Sequence, residues 1–500
     1  MTTKEKLHWF ILINGLVVAF LVLLPQILLR TPLDGDANGF LPQTLEYAQT
    51  GKLVNHLFNP LALFYGINPE DYVTWHGFLM PILIGSLIPI KSYPAIILAT
   101  GIIEMIVVLI WVKFSLPMVE DVPTMVVIGA ATWGLAGWLC GEVGRPEALV
   151  SLIVMTALCF TRMKRPWIRA MLLGSAIGLC VATSPQAGII ATALIVCFFA
   201  ATGSDWREVL GDIVIGGVSA TGIFFVCLTF YPYSLADWLN GMALVAQRSI
   251  IERHDFTPRI TLVAQFVRNN QPLFLPWALF GLSGFFLWGK RICQNQVLRV
   301  YFIALFFVVA TYALYASRGL LTYNGSPFLP LMIMGALYIY KNISITPLAR
   351  RFAFASIVMM SLVASIPLLI SFAIPTIGAK GMPFQQAHSE VSRLASSSRG
   401  LTISSGLFSL LDTNSGVDSI PPVQLFDQNF IGKGDILLVQ QIFPYKKTPP
   451  HYNHYQLIQS FFIDHPVRFM GVKIANSPLG WNFAIYKRIC GPKTAHSNKE

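Results

Sequence analysis

Eleven apolar segments, most of them long enough to cross a bilayer, constrain this chain more than any other feature. They cover residues 9–29, 95–112, 122–140, 146–161, 168–184, 188–202, 210–230, 272–289, 300–316, 319–340 and 352–374. A hydrocarbon core about 30 Å thick takes roughly 20 helical residues to cross. Apolar residues make up 54% of the 500 positions and charged residues 12%, roughly half the charged share of soluble domains. The sequence therefore predicts an α-helical polytopic membrane protein with about 11–13 spans. A shorter run at 78–90, bounded by Pro89 and Lys91, reads as re-entrant or interfacial, with a tilted crossing as the alternative.

The net charge of +11 does not point to nucleic acid. Most basic residues sit in short connections beside apolar runs, and there is no Lys/Arg-rich tract of the kind that grips a polyanion. Three connections are clearly basic: Arg162/Lys164/Arg165/Arg169, Lys290/Arg291/Arg299 and Lys341/Arg350/Arg351. The positive-inside rule assigns all three to the cytoplasm. Counting spans from them puts the N-terminus inside. The 30–77 loop, the Arg145/Glu147 pair, the 231–271 loop and everything after 375 fall together on the outer face. The Met1–Lys6 start followed by the 9–29 run ends without a small-x-small cleavage site, so it reads as a retained span.

Five of the seven cysteines lie in apolar runs, and no CxxC or Cys/His cluster occurs, so zinc and redox sites are not expected. The segment after 375 divides into helix-like and strand-like stretches. Phe384–Ala395 and His454–Phe462 look helical; Leu401–Ser404, Asp435–Gln440 and Phe483–Tyr486 look like strands. This predicts a small extramembrane α/β domain over 376–500, large enough for its own core, behind a membrane domain over 1–375. It has no Gly-rich phosphate loop.

The 30–77 loop carries the most chemistry. Asp34 and Asp36 stand where the first span leaves the bilayer, followed by a helical stretch, Leu41–Thr50, closed by Gly51. Pro42 suits the first turn of that helix and Gly51 its stop, with Asn38 or Gly39 as N-cap. Leu41, Leu45 and Ala48 share one face, which predicts a helix lying along the membrane surface. A carboxylate at that boundary reads either as a solvated acidic turn or as a general base tuned by partial desolvation. Arg145 and Glu147 begin a span, where charges facing lipid are costly. They read either as an interfacial pair anchoring the helix or as a guanidinium placed for phosphate. Arg253 and Arg259 in the basic 231–271 loop read as headgroup contacts or as cations for an anionic lipid carrier. Glu104 is the main carboxylate inside a span.

The run Asp36-Ala-Asn-Gly-Phe40, with Gly51 closing the helix, resembles the first external loop of GT-C glycosyltransferases. Among them it is most similar to the protein O-mannosyltransferase and lipid A aminoarabinose transferase group. Trp75-His76-Gly-Phe-Leu-Met-Pro81 stands where that group has a His-Pro-Pro-Leu-like element. Gly144-Arg-Pro-Glu147 resembles its Arg-x-Asp/Glu span start, and Tyr315-Ala-Ser-Arg318, Tyr323 and Pro327-Phe-Leu-Pro330 resemble its late Arg-Tyr-Pro element. Ser184-Pro-Gln186 resembles a span-end corner of some members, and a helix-ending turn explains it equally well. Ala37 replaces the group's second carboxylate, a part that would fall to Asp34.

The resemblance implies an enzyme of a bacterial inner membrane that takes a sugar from a polyprenyl-phosphate carrier. The acceptor would be a lipid, a glycan or a protein, reached on the external face. Asp36 would be the base. Arg145, Arg253, Arg259, Arg318 and Tyr323 would serve the carrier phosphate, with His76 and Glu147 nearby. No cofactor is implied, although the Asp34-Gly-Asp36 spacing leaves a divalent ion open. A secondary transporter and a surface-glycan polymerase or ligase of another membrane fold are the competing readings. The transporter predicts repeated span blocks, which the sequence does not clearly show.

Overall fold

A computed structural model describes residues 3–28, 40–53, 77–119, 122–140, 143–202, 205–251, 326–328, 330–331, 333–334 and 383–397. In the C-terminal part it describes 400–403, 410–411, 417–420, 427–440, 451–461, 467–469, 472–475 and 483–489. The chain forms two compact units. The first holds Met1–Leu24, Trp75–Ile84 and Leu98–Leu369; the second holds Pro25–Thr74, Gly85–Ile97 and Ile370–Glu500.

Among the described residues the spans are helices α1 (Thr3–Leu28), α4 (Tyr93–Ser115), α5 (Val122–Leu139), α6 (Glu147–Phe160), α7 (Pro166–Thr183), α8 (Pro185–Thr202) and α9 (Trp206–Leu228). Their bounds lie within a few residues of those expected, because the apolar runs end at Pro, Gly or charged residues. Four stretches, His8–Leu28, Tyr93–Met118, Pro166–Thr183 and Trp206–Leu228, are long and apolar enough to cross a membrane by themselves. The runs at 272–289, 300–316 and 352–374, and most of 319–340, lie outside the described residues. The 78–90 run forms α3, only Leu79–Leu87. At 1.5 Å per residue it reaches about 13 Å, under half a bilayer.

Small residues draw α7 and α9 together. Gly174 and Gly178 of α7 face Gly216 and Ala220 of α9 so closely that a Cβ on Gly174 would lie 2.1 Å from the Gly216 carbonyl oxygen. Ser175 and Ser219 share a 2.8 Å hydrogen bond across the crossing, and the Ser219 hydroxyl also donates to the Met171 carbonyl at 2.8 Å. In hydrocarbon, where apolar burial gives no net drive, such close packing and interhelical hydrogen bonds hold helices together. Asp205 caps α9, its Oδ1 accepting from the amides of Arg207 and Glu208 at 2.8 and 2.9 Å. Such a cap contributes about 1 kcal/mol.

In the second unit, α2 spans Leu41–Thr50, with Pro42 in its first turn and Gly51 as C-cap at φ 74°, a left-handed conformation that favours glycine. The helix is the one expected, with two corrections. Its N-cap is Phe40, which makes no side-chain cap, rather than Asn38 or Gly39. Gln43 and Thr44 are buried along with Leu41, Leu45 and Ala48. The helix is therefore enclosed by protein on more than its apolar face. One reason is Gly85 of α3, where a Cβ would stand 3.1 Å from the Thr44 carbonyl and 2.8 Å from the Tyr47 ring.

The C-terminal part has an amphipathic helix, α11 (Pro383–Ser397), which buries Ala387, Val391 and Leu394. Five strands form a mixed sheet in the order β2-β1-β3-β7-β4. They are β1 (Leu401–Ile403), β2 (Val417–Ser419), β3 (Ile436–Gln440), β4 (Tyr455–Phe461) and β7 (Phe483–Arg488), and a separate hairpin joins β5 (Val467–Phe469) to β6 (Val472–Ala475). β1 pairs in parallel with β2 and β3; β7 runs antiparallel to β3 and β4. Residues 436–439 are buried on both faces, as a central strand requires.

The helix expected over His454–Phe462 is strand β4. Gln456–Gln459 are all exposed, while Tyr455 and Phe461 are buried at the two ends. Phe461 stacks on Phe483 at 4.9 Å, and the Tyr455 hydroxyl accepts from the Gly432 amide at 2.9 Å. Pairing with β7, adjusted by an irregularity between Leu457 and Gln459, overrides the helical propensity of Gln and Leu.

Candidate functional site

The site is built from the connection between α5 and α6. Gly144 adopts φ 90°, reversing the chain, and its amide donates to the Thr100 hydroxyl of α4 at 3.0 Å. That turn directs Arg145 inward: it is 1% exposed, among the largest fully buried side chains in the described residues. Its Nε donates to Glu147 Oε2 at 3.1 Å, and Glu147 is itself 3% exposed. Glu147 opens α6, where its charge also meets the positive end of the helix dipole. One turn along α4 from Thr100, Glu104 is buried too, at 2%. One turn along α6 from Glu147, the buried Ser151 hydroxyl and Glu147 Oε1 make no hydrogen bond among the described residues. A guanidinium and a carboxylate thus face each other with almost no access to solvent. Burying ions costs several kcal/mol each unless they are paired, so the pair fixes the geometry of the turn firmly.

A second cluster in the same unit forms at the ends of α7 and α9. Gly77 follows His76 in the chain and leaves no room for a side chain, since a Cβ there would lie 2.3 Å from the Thr183 carbonyl. The Phe78 amide donates to the Ala182 carbonyl at 2.9 Å. The Phe78 ring lies 4.8 Å from that of Tyr231 and 6.3 Å from Phe224, which in turn stands 5.3 Å from Trp238. At Ser184-Pro-Gln186, α7 ends in extended Ser184 and α8 begins with Pro185, the helix-ending turn that the sequence allowed.

Trp238 belongs to α10 (Leu235–Ile251), a helix at the head of what the sequence presented as a loop. The readable sign is Ser234-Leu-Ala-Asp237. The Asp237 carboxylate accepts from the Ser234 amide and hydroxyl at 2.9 and 2.6 Å, and the Ser234 hydroxyl accepts from the Asp237 amide at 3.2 Å. This is the reciprocal arrangement of a capping box. The Ser234 hydroxyl and amide hold the Asp237 carboxyl below its ordinary range.

Of the residues that the sequence proposed, Arg145 and Glu147 are described, and they are paired with each other. Asp34, Asp36, His76, Arg253, Arg259, Arg318 and Tyr323 lie outside the described residues. Part of the late element is described: Ser326–Phe328 is a 3-10 turn, Phe328 is buried, and the Pro330 carbonyl accepts from Trp111 Nε1 at 3.0 Å. Trp111 stands eleven residues along α4 from Thr100, about 16 Å by helix rise. The late element and the Arg145 turn are therefore held by the same helix at different depths. Among the described residues no group of three or more His, Cys, Asp or Glu stands close enough to hold a metal ion.

No protein-family model and no curated protein matches the chain. Solved structures do. ArnT from Cupriavidus metallidurans, bound to undecaprenyl phosphate, is similar over 98% of this chain and 100% of its own, at 11% identity and a TM-score of 0.55. The fold is GT-C-like. The Archaeoglobus fulgidus oligosaccharyltransferase in its apo form aligns over 79% of this chain and 63% of its own, at 12% identity and a TM-score of 0.42. The same organism's AglB, in complex with an inhibitory peptide and a dolichol-phosphate, aligns over 78% and 60%, at 11% identity and a TM-score of 0.41. The chain spans about three fifths of the length of these oligosaccharyltransferases.

Proposed function

We propose that the chain is an integral-membrane glycosyltransferase that takes its sugar from a polyprenyl-phosphate carrier and works on the face opposite the 162–169 loop. What supports this most is the likeness to ArnT along nearly the whole chain, since that structure holds undecaprenyl phosphate. Fold alone does not carry function. The acidic loop residues of the sequence and the helix they lead into supply the rest. Asp36 takes the proton from an acceptor hydroxyl as that oxygen attacks the anomeric carbon. The carbon–phosphate-oxygen bond breaks with inversion, and the carrier leaves as polyprenyl phosphate, its charge met by basic side chains. The buried Arg145–Glu147 pair suits a positioning role for the turn into α6.

The reading carries a topological expectation. With the N-terminus inside and the C-terminal domain outside, labels at Lys164 and Ser405 report opposite sides of the membrane. Same-side labelling would contradict the span count on which the shared outer face depends.

The phosphate site is tested through Arg253, Arg259 and Arg318. Singly replaced by Ala, they are expected to weaken binding of undecaprenyl phosphate by about tenfold each, the order expected for one charge-assisted contact, without loss of fold. Unchanged binding in all three variants moves the phosphate to Arg145, whose guanidinium would first have to release Glu147.

A further inference from the structure

Helices α6, α7 and α8 leave between them a half-open groove with a cavity volume of about 100 Å³. Its walls are almost entirely carbon: Ala157 of α6 and Thr161 just past its end, Leu173 and Ala176 of α7, Phe198 of α8 and Phe328 of the late element. A cavity so lined does not hold water, and in helices that cross a bilayer the filler at hand is a hydrocarbon chain. One end of the groove is basic. Thr161 is followed directly by Arg162, and the Arg169 guanidinium stands 5.6 Å from the Phe198 ring. Arg169 is committed to Asp212 of α9, Nη2 to Oδ2 3.4 Å. Asp205 caps α9, and Glu208 follows it in the first turn of that helix.

Arg162, Lys164 and Arg165 are exposed, and none of the three pairs with a carboxylate among the described residues. No Asp or Glu occurs between Glu147 and Asp205. Arg162 is steadied by the Phe114 ring, 4.6 Å from its guanidinium carbon, and Trp167, two residues after Arg165 in the chain, is 52% exposed, as aromatic residues are at the headgroup level.

We propose that this is a binding site for an anionic phospholipid of the leaflet facing the 162–169 loop. Part of one acyl chain lies in the groove, and the phosphate lies among Arg162, Lys164 and Arg165. The inference does not rest on the transferase reading, which places its carrier on the opposite face.

The test titrates delipidated, full-length protein with phosphatidylglycerol or phosphatidylcholine of identical chains and counts bound lipid by native mass spectrometry. Phosphatidylglycerol is expected to bind about tenfold or more tightly than phosphatidylcholine. The R162Q/K164Q/R165Q variant, altered only at exposed positions, is expected to lose that preference. Ala176→Phe, which fills the groove, is expected to abolish retention, and Ala157→Leu serves if the larger residue prevents folding. Equal affinity for the two lipids would overturn the proposal, as would a preference that survives the triple neutralisation. Undiminished binding to a folded groove-filled variant would overturn it too, because the headgroup alone would then account for binding.

Discussion

Asp36→Asn is expected to lower sugar transfer by about 10²–10⁴-fold, the usual consequence of removing a general base. Expression and donor binding should stay near wild type, since the side chains are nearly equal in size. Asp34→Asn should cost less, because it is Asp36 that stands fifteen residues before the C-cap Gly51 of α2. That helix has the length and the stop that the sequence implied. The two variants are compared in a transfer assay with membrane-extracted carrier lipid. If Asp34→Asn is the inactive one, the base is two residues earlier. If both keep wild-type turnover, the loop is a solvated turn and the transferase reading loses its chemistry.

Arg145→Ala is expected to destabilise the protein by about 3–5 kcal/mol, since it leaves Glu147 charged and buried without its partner. Replacing both, Arg145→Met with Glu147→Leu, should recover most of the loss, because an apolar pair of similar volume has no charge to desolvate. Reversible unfolding of the detergent-solubilised protein measures both. A single variant as stable as wild type would show that the guanidinium's partner lies elsewhere and that the pair does not hold the turn. A double variant as damaged as the single would mean that shape, rather than charge, is what the site requires.

Much of the fold is legible in the sequence because membrane spans obey a single rule: backbone groups must be satisfied within the segment, so long apolar runs have to be helices. The α2 helix is legible for a different reason, Pro42 and Gly51 being punctuation whose physics is local. What is not legible depends on distant partners. β4 has a helix-compatible composition, and its pairing with β7 and the Phe461–Phe483 stack join residues that no local pattern links. α10 could have been found from Ser234-Leu-Ala-Asp237, whose capping pattern is short beside the length of the loop it opens. Of the site, Arg145 and Glu147 were visible as costly charges at a span end. Their pairing is one of the two readings the sequence offers, whereas the role of Thr100 is not legible, since a small hydroxyl on a span looks the same whether it faces its own backbone or a neighbouring turn.

The central claim is that this fold holds a polyprenyl phosphate. Full-length protein extracted in a mild detergent, then stripped with organic solvent and analysed by mass spectrometry, tests it most directly. The account predicts a polyprenyl phosphate, free or bearing a sugar, retained in near one-to-one amount and replaceable by added undecaprenyl phosphate. A preparation that carries only ordinary phospholipids and takes up no undecaprenyl phosphate would contradict it.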